Sequence, residues 1–180
     1  MRRFFVISNT VDTSKSLSLN SLTGYGRLDV LCRCINAAFF LSNDFRKNVV
    51  LSIFFKINNK ILEIWGNEVR GINPDERAIA GVLKRVFNGH SHPGTRFYSS
   101  SLEQYFQKRN FIIIDRKGDQ LLNKLSEYDS FMLGDQVGFP KEIYFLFTHQ
   151  PKISLGIPIY LSSQVITILN YLLDNIELDE

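Results

Sequence analysis

Apolar residues recur along this chain in short continuous runs and in helical spacings that alternate from one end to the other. The run RRFFVIS predicts a strand, and residues 9–25 after it form a polar loop rich in Ser and Asn. From about residue 27 to residue 41 the apolar side chains recur every three or four positions, which predicts a helix. Two apolar runs, NVVLSIFFKI and ILEIWG, then flank the turn-like NNK and predict a β-hairpin.

The segment NPDERAIAGVLKRVF predicts the next helix. Pro74 suits a first helical turn, and the two acidic residues after it complement the positive end of the helix dipole. The helix is expected to end at the Asn-Gly pair of NGHSHPGTR, which is predicted to be a loop. Residues 99–109 are predicted to form a short helix capped by Ser100 or Ser101, with Glu103 close behind.

The second half of the chain alternates more regularly. FIIID, SFMLG and KISLG predict strands, while GDQLLNKLSEYD and KEIYFLF predict helices between them. A last helix, from about residue 162 to residue 175, is apolar around most of its circumference, so it should be buried against the sheet or against a second subunit. This alternation predicts an α/β layer fold with a largely parallel sheet flanked by helices.

Composition narrows the class of protein. The 180 residues suffice for one domain, and the 44% hydrophobic and 22% charged residues are ordinary for a globular chain. The apolar runs are shorter than the roughly 20 residues of a membrane span. The apolar stretch near residue 1 is too short for a secretory signal. A cytoplasmic protein without membrane contact is therefore expected. Cys32 and Cys34, two positions apart on a helix, point away from each other, and a metal site is not expected.

Charge is distributed unevenly between the two parts of the chain. Residues 1–117 contain 18 Lys and Arg against 9 Asp and Glu, a net +9, whereas residues 118–180 contain 3 against 9, a net −6. Such asymmetry is typical of a protein whose basic part contacts a polyanion. Chance drift of surface charge is the alternative that this feature alone leaves open.

Residue types exclude several kinds of catalysis. The chain lacks the G-x-S-x-G nucleophile motif, and both cysteines lie in an apolar helical pattern, so a hydrolase triad is not favoured. A metal-dependent nuclease would need clustered carboxylates. Outside the acidic tail only Asp75 and Glu76 form a tight pair, and helix-dipole complementation explains that pair.

Two groups of residues remain as candidate sites. In GRLDVLCR, Arg27, Asp29 and Arg33 begin an apolar helix, and they form either a surface ion pair or a site for phosphate or a base with a carboxylate beside it. The second group is the set of loops after the last three predicted strands, because ligands of open α/β sheets bind beyond the carboxyl ends of the strands. The glycine loop MLGDQVGFP among them matches neither the dinucleotide nor the phosphate-loop signature.

Several blocks in order resemble the archaeal tRNA pseudouridine N1-methyltransferases, the TrmY family of the SPOUT superfamily. The blocks are GRLDVLCRCINAAFFLS, NPDERAIA, the Pro93-Gly94 pair, LGDQVG, ISLG and VITILN. The resemblance implies one SPOUT methyltransferase domain over residues 1–180, with a basic RNA-facing part (about 1–110) and a deep trefoil knot (about 111–180) that binds cofactor and forms a homodimer. It also implies that S-adenosylmethionine is used to methylate N1 of pseudouridine 54 in the T-loop of tRNA.

The family's cofactor contacts, carried over by position, come from three loops and the start of the last helix. The implied residues are Ile114, Gly134, Gly138, Leu155, Gly156, Ile157, Pro158, Ile159, Tyr160 and Val165. Two departures occur here: the family often has Ser-Pro-Leu after ISL, where this chain has Gly-Ile-Pro, and it often has Cys at position 165. Pockets formed by backbone groups and apolar walls tolerate both changes.

The chemistry assigns roles to the charged groups. Pseudouridine has a free N1–H, so the protein must align N1 with the methyl donor, and a carboxylate could take the proton. Asp29 is predicted to take that proton or to orient the base, with Arg27 and Arg33 binding phosphate or base. Asp75 and Arg77 of PDER are the alternative, unless they form only a helix start with a buried Arg–Asp pair.

The resemblance leaves other questions open. The RNA contacts are predicted among Arg2, Arg3, Arg46, Lys47, Arg96 and Tyr98. A SPOUT methyltransferase acting on another RNA, such as ribosomal RNA, and a non-catalytic RNA-binding homologue remain as competing functions.

Overall fold

Strands and helices alternate in a computed structural model that describes residues 1–107, 109–120 and 122–176, the side chains of residues 122–124 aside. The strands are β1 (Arg2–Ser8), β2 (Val49–Phe55), β3 (Lys60–Trp65), β4 (Thr95–Ser99), β5 (Phe111–Asp119), β6 (Ser130–Gly134) and β7 (Lys152–Ile153). The α-helices are α1 (Leu28–Phe39), α2 (Glu76–Phe87), α3 (Leu102–Phe106) and α4 (Ser162–Ile176). Two 3-10 helices span Leu122–Glu127 and Lys141–Phe147. Residues 108, 121 and 177–180 of the predicted helices and acidic tail lie outside the described residues.

The seven strands form one sheet in the order β4-β3-β2-β1-β6-β5-β7. β1 pairs in parallel with β2 and β6, and β5 pairs in parallel with β6 and β7. Only the β2–β3 and β3–β4 pairs are antiparallel in the described sheet, and β2–β3 is the predicted hairpin. The predicted α/β fold with a mostly parallel sheet is therefore confirmed.

Two hydrophobic layers cover the sheet. Side chains alternate along β1, so Phe4 and Val6 pack with α1, α2 and α4 on one face, while Phe5 and Ile7 pack with α3 on the other. All four are fully buried, which is why RRFFVIS is a nearly continuous apolar run.

The two cysteines belong to this core. Both thiols are buried on α1, and desolvation raises the pKa of each to about 12. They are therefore inert core residues, as the helical pattern predicted.

The final helix is held by packing and by a polar anchor. Val165, Ile166 and Leu169 are buried, and the Asn170 amide donates to the Ala37 carbonyl of α1 at 3.1 Å. Near its end, Asp174 accepts hydrogen bonds from Arg2 and Arg46, at 2.7 and 2.9 Å. Of the two predicted burial modes, packing inside the subunit accounts for this apolar face.

Several sequence predictions are wrong in detail. The prediction missed β4, whose TRFYS sequence pairs with β3 at the sheet edge and is mostly exposed, so it has no apolar run. The helix predicted over residues 99–109 is shorter in the structure: Ser99 ends β4, and α3 spans only Leu102–Phe106 after a capping box between Ser101 and Gln104. Pro74 lies before α2 rather than in its first turn, because Asp75 caps the helix by accepting from the Ala78 N–H at 2.7 Å.

Candidate functional site

The loops after β5, β6 and β7 meet at one edge of the sheet, since parallel strands end on the same side. They surround two adjoining cavities of about 130 and 350 Å³, which we call together the strand-end cleft. The cavities share the lining residues Ile114, Asp115, Arg116, Ile159, Tyr160 and Val165. The larger is of the size that holds a small-molecule cofactor.

The structure brings the predicted cofactor residues together. The strand-end cleft is lined by Ile114, Gly134, Gly138, Leu155, Gly156, Pro158, Ile159, Tyr160 and Val165. Ile157 instead borders a neighbouring hollow with Arg116 and Gly118, and its side chain is 88% exposed. That each of these residues contacts the cofactor stays a prediction.

The glycine loop MLGDQVGFP closes on itself. Asp135 is buried and accepts from the Asn9 N–H at 2.6 Å and from the Val137 N–H at 2.9 Å. A Cβ at Gly134 would lie 2.5 Å from the carbonyl carbon of Gly138, whose φ is +87°. Gly134 therefore permits the close approach of the chain to itself, Gly138 permits the positive φ of the turn, and both leave backbone groups at the cleft.

Arg27, Asp29 and Arg33 form a tight group, the arginine–aspartate cluster. Gly26 and Arg27 both have positive φ, and this turn directs Arg27 toward Asp29 on the first turn of α1. The Arg27 Nε and Nη2 donate to the two Asp29 oxygens at 2.9 and 3.0 Å, and the Arg33 Nη2 donates at 2.7 Å. The predicted ion pair of Asp29 with Arg33 is present, but Asp29 is only 4% exposed, so the carboxylate lies below the surface rather than on it.

Electrostatics fix the charge state of this cluster. The hydrogen bond from Arg27 lowers the pKa of Asp29, with further lowering by the charges of both arginines against the opposing effect of burial. Asp29 is therefore an ionised carboxylate whose two oxygens are already occupied. The arginine side chains are 46% and 39% exposed, so the cluster presents cationic groups on a fixed anionic base.

Glu76 of the PDER segment lies beside the cluster, and the sequence did not predict it as a site residue. Glu76 lies 3.7 Å from the Arg33 guanidinium. Asp75 and Arg77, the predicted binding residues, are both exposed, and Asp75 is occupied as the cap of α2. The alternative of a buried Arg–Asp pair is therefore wrong, although the helix start is confirmed.

One bridge of hydrogen bonds joins the turn before the cluster to the glycine loop of the strand-end cleft. The Thr10 hydroxyl donates to the Gly26 carbonyl at 2.7 Å and accepts from the Gln136 amide of the glycine loop at 3.0 Å. Within the cleft, the Ser162 hydroxyl at the start of α4 donates to the Gly134 carbonyl at 2.6 Å.

The other side of the α4 start borders a second hollow. Ser163, Gln164 and Thr167 line it together with Arg33 and Glu76. Neither Thr10 nor Ser162 lies in a motif that sequence analysis could have recognised.

Three of the six predicted RNA contacts are engaged in ion pairs inside the protein. Arg3 pairs with Glu63 at 2.9 Å, and Arg2 and Arg46 pair with Asp174. Arg2 is also buried, so it is the least accessible of the three, and the RNA contacts of Arg3 and Arg46 stay predictions. Lys47 and Tyr98 are exposed, so their RNA contacts stay predictions. Arg96 also stays one, although it pairs with Glu68 and stacks on the Trp65 ring.

In residues 1–107, 109–120 and 122–176, no three His, Cys, Asp or Glu side chains are grouped so as to hold a metal ion. Within the same ranges, no helix has the length and apolarity required to cross a membrane.

Known proteins are similar to this chain over nearly its full length. A family model described as "Putative SAM-dependent RNA methyltransferase" matches residues 1–178. The tRNA (pseudouridine(54)-N(1))-methyltransferase of Methanococcoides burtonii is 33% identical, over 94% of this chain and 95% of that protein. The enzyme of the same name from Methanocorpusculum labreanum is 31% identical, over 87% of this chain and 88% of that protein.

A solved structure supports the fold. The crystal structure of Archaeoglobus fulgidus Nep1 bound to S-adenosylhomocysteine matches with a TM-score of 0.76, 12% identity and 98% coverage of both chains. The family indicated by the motifs GRLD, PDER and LGDQVG is confirmed. The chain belongs to the SAM-dependent RNA methyltransferase family that includes the archaeal tRNA (pseudouridine(54)-N(1))-methyltransferases.

Proposed function

We propose that this protein is an enzyme that uses S-adenosylmethionine to methylate N1 of pseudouridine 54 in tRNA. The relatives over most of the chain are tRNA (pseudouridine(54)-N(1))-methyltransferases. The observation that carries the proposal is the strand-end cleft beside the arginine–aspartate cluster, joined to it through Thr10 and Gln136. One region suits a cofactor and the other suits an anionic nucleic acid.

The strand-end cleft fits S-adenosylmethionine chemically. The molecule carries no phosphate, and the cleft accordingly combines apolar walls, such as Ile114, Leu133 and Val165, with glycine backbone. Gly134, Gly138 and residues 155–160 would hold it mainly through backbone groups. When bound, S-adenosylmethionine supplies an electrophilic methyl group on its sulfonium.

The cluster supplies orientation for the second substrate. Pseudouridine is attached through carbon and so has a free N1–H, which uridine lacks. Arg27 and Arg33 would bind the base or its flanking phosphates, because guanidiniums recognise both by paired hydrogen bonds. Their fixed position relative to the cleft would align N1, and such alignment is the main requirement for methyl transfer.

Asp29 suits positioning better than proton removal. Its pKa is lowered by Arg27, and both oxygens accept hydrogen bonds, so it is a weak base in this arrangement. Of its two predicted roles, we propose that it orients the base through the two arginines. The assignment of Asp29 as proton acceptor stays a prediction.

We further propose that residues 1–180 form one SPOUT domain whose part from about residue 111 is threaded as a deep trefoil knot and forms a homodimer. What supports this is the path of the chain, since α4 returns from the sheet edge at β7 to pack on α1. Exposed apolar side chains near the cleft, Phe145 (62%), Ile157 (88%) and Ile159 (78%), suit a subunit contact. The proposed location is the cytoplasm.

Sedimentation velocity tests the dimer. The wild-type protein should sediment as a dimer and the Ile157→Asp variant as a monomer. A monomeric wild-type protein at micromolar concentration would contradict the proposal.

A methylation assay tests the activity. We would incubate the protein and S-adenosylmethionine with two tRNAs that differ only in uridine or pseudouridine at position 54, then locate the methyl group by mass spectrometry. Only the pseudouridine tRNA should gain 1-methylpseudouridine. Equal methylation of both tRNAs would overturn the N1 assignment. Methylation of ribosomal RNA alone would favour another RNA target. RNA binding without cofactor binding would favour a non-catalytic RNA-binding protein.

A further inference from the structure

Two adjacent side chains of opposite charge, Asp115 and Arg116, line the strand-end cleft. Asp115 and Arg116 border both of its cavities, and Arg116 also borders the adjacent hollow. Among the residues that the structure describes, the Arg116 guanidinium has no hydrogen-bond or ion-pair partner. One Asp115 oxygen accepts from the Lys117 N–H at 2.8 Å.

A bulge in β5 presents this pair. Ile114 and Asp119 both pair with Ile153 of β7, so residues 115–118 are extra on the β5 side. The bulge requires Gly118, because a Cβ there would lie 2.6 Å from the Ile153 backbone. Bulges next to active sites redirect side chains, and this one places two charged side chains at the cleft. The other carboxylate that lines the cleft, Asp135, already accepts hydrogen bonds from Asn9 and Val137.

We propose that Arg116 binds the carboxylate, and Asp115 the ammonium, of the amino-acid tail of S-adenosylmethionine. The assignment rests on the proposed function, which places that molecule in the cleft. The tail is a zwitterion with both charges on one carbon, and adjacent side chains of opposite sign match it. An RNA phosphate fits less well, because the Asp115 carboxylate beside Arg116 would repel it.

Three ligands separate the two contacts. S-adenosylmethionine carries both tail charges, decarboxylated S-adenosylmethionine keeps only the ammonium, and 5′-methylthioadenosine has neither. In calorimetric titrations, Arg116→Ala should weaken S-adenosylmethionine about tenfold, as expected for a charged hydrogen bond, and should leave the decarboxylated ligand within about twofold. Asp115→Asn should weaken the first two ligands about fivefold and leave 5′-methylthioadenosine unchanged.

Lys117→Ala is the matched control. Lys117 is an exposed neighbouring cation outside the lining of the cleft, so its loss should leave all three affinities unchanged. Equal weakening of all ligands by Arg116→Ala would overturn the assignment, as would unchanged cofactor affinity with a raised KM for tRNA. A wild-type protein that binds none of the three would instead overturn the proposed function itself.

Discussion

The strand-end cleft and the arginine–aspartate cluster differ in the atoms that form them. Glycine backbone and apolar walls form most of the cleft, whereas three charged side chains on α1 and its first turn form the cluster. A surface of backbone groups tolerates side-chain changes, which fits the departures at residues 156–158 and 165 from the family pattern. The cluster depends most on Asp29, because removing this carboxylate takes away the hydrogen-bond acceptor that Arg27 and Arg33 share.

The largest effect is expected in the cluster. Asp29→Ala should lower turnover about 10²–10³-fold, because Arg27 and Arg33 lose the anion that positions them. Calorimetry should still give S-adenosylmethionine affinity within about twofold of wild type. Thermal unfolding of Asp29→Asn, which keeps the shape of the side chain, is the control for misfolding. If Asp29→Ala kept the turnover of the wild type, Asp29 would have a purely structural role.

In the cleft, the largest loss of function should come from replacing a glycine rather than a charged residue. Gly134→Ala should destabilise the fold by about 3 kcal/mol and abolish cofactor binding, since its Cβ would overlap the Gly138 backbone. Gly138→Ala is the matched control: its Cβ meets nothing within 4 Å, so only the positive φ costs about 1 kcal/mol. Denaturant unfolding of both variants measures the difference, and equal values would contradict the crowding argument.

A conservative change in the cluster should have an intermediate effect. Arg27→Lys keeps the charge but cannot donate in a fork to both Asp29 oxygens. Turnover on pseudouridine tRNA should fall about tenfold, with little change in cofactor affinity. If the lysine variant were fully active, the guanidinium geometry would not matter and the cluster would act by charge alone.

A conservative change of one apolar side chain in the cleft should have the smallest effect on cofactor binding. Val165→Cys replaces one small apolar side chain of the cleft with the residue that the family resemblance implies there and nearly conserves volume, so the free energy of unfolding should change by less than about 1.5 kcal/mol. Calorimetry should give cofactor affinity within about twofold of wild type. A much larger loss would show that the cleft, like the cluster, depends on particular side chains.

Periodicity predicted the interior of this fold better than its edges. β1, β2 and α1 were predictable because each buries a continuous or helically spaced apolar set. β4 was not, since an exposed edge strand needs no apolar pattern beyond its pairing with β3. β7 is paired over only two residues, so its KISLG sequence overstated the strand.

The candidate site was partly predictable for a similar reason. Arg27, Asp29 and Arg33 lie close in sequence, so helical geometry alone brings them near one another. Glu76 lies 43 positions after Arg33 in the sequence, and only tertiary packing brings it near the Arg33 guanidinium. Thr10 lies 23 positions before Arg33, and only tertiary packing brings its hydroxyl to the Gly26 carbonyl beside Arg27. The ion pair of the half-buried Arg3 with the buried Glu63 likewise depends on the pairing of distant strands, so a count of cations along the chain includes some that are already paired inside the protein.

The two hydrogen bonds of Thr10 have a thermodynamic consequence. Gln136 belongs to the loop at the cofactor cleft, and Gly26 belongs to the turn that sets Arg27, so the free energy of ordering one end contributes to ordering the other. Such coupling is reciprocal: the factor by which the cofactor raises affinity for tRNA must equal the factor by which tRNA raises affinity for the cofactor. Any coupling that this one threonine hydroxyl carries between the two binding equilibria therefore acts equally in both directions.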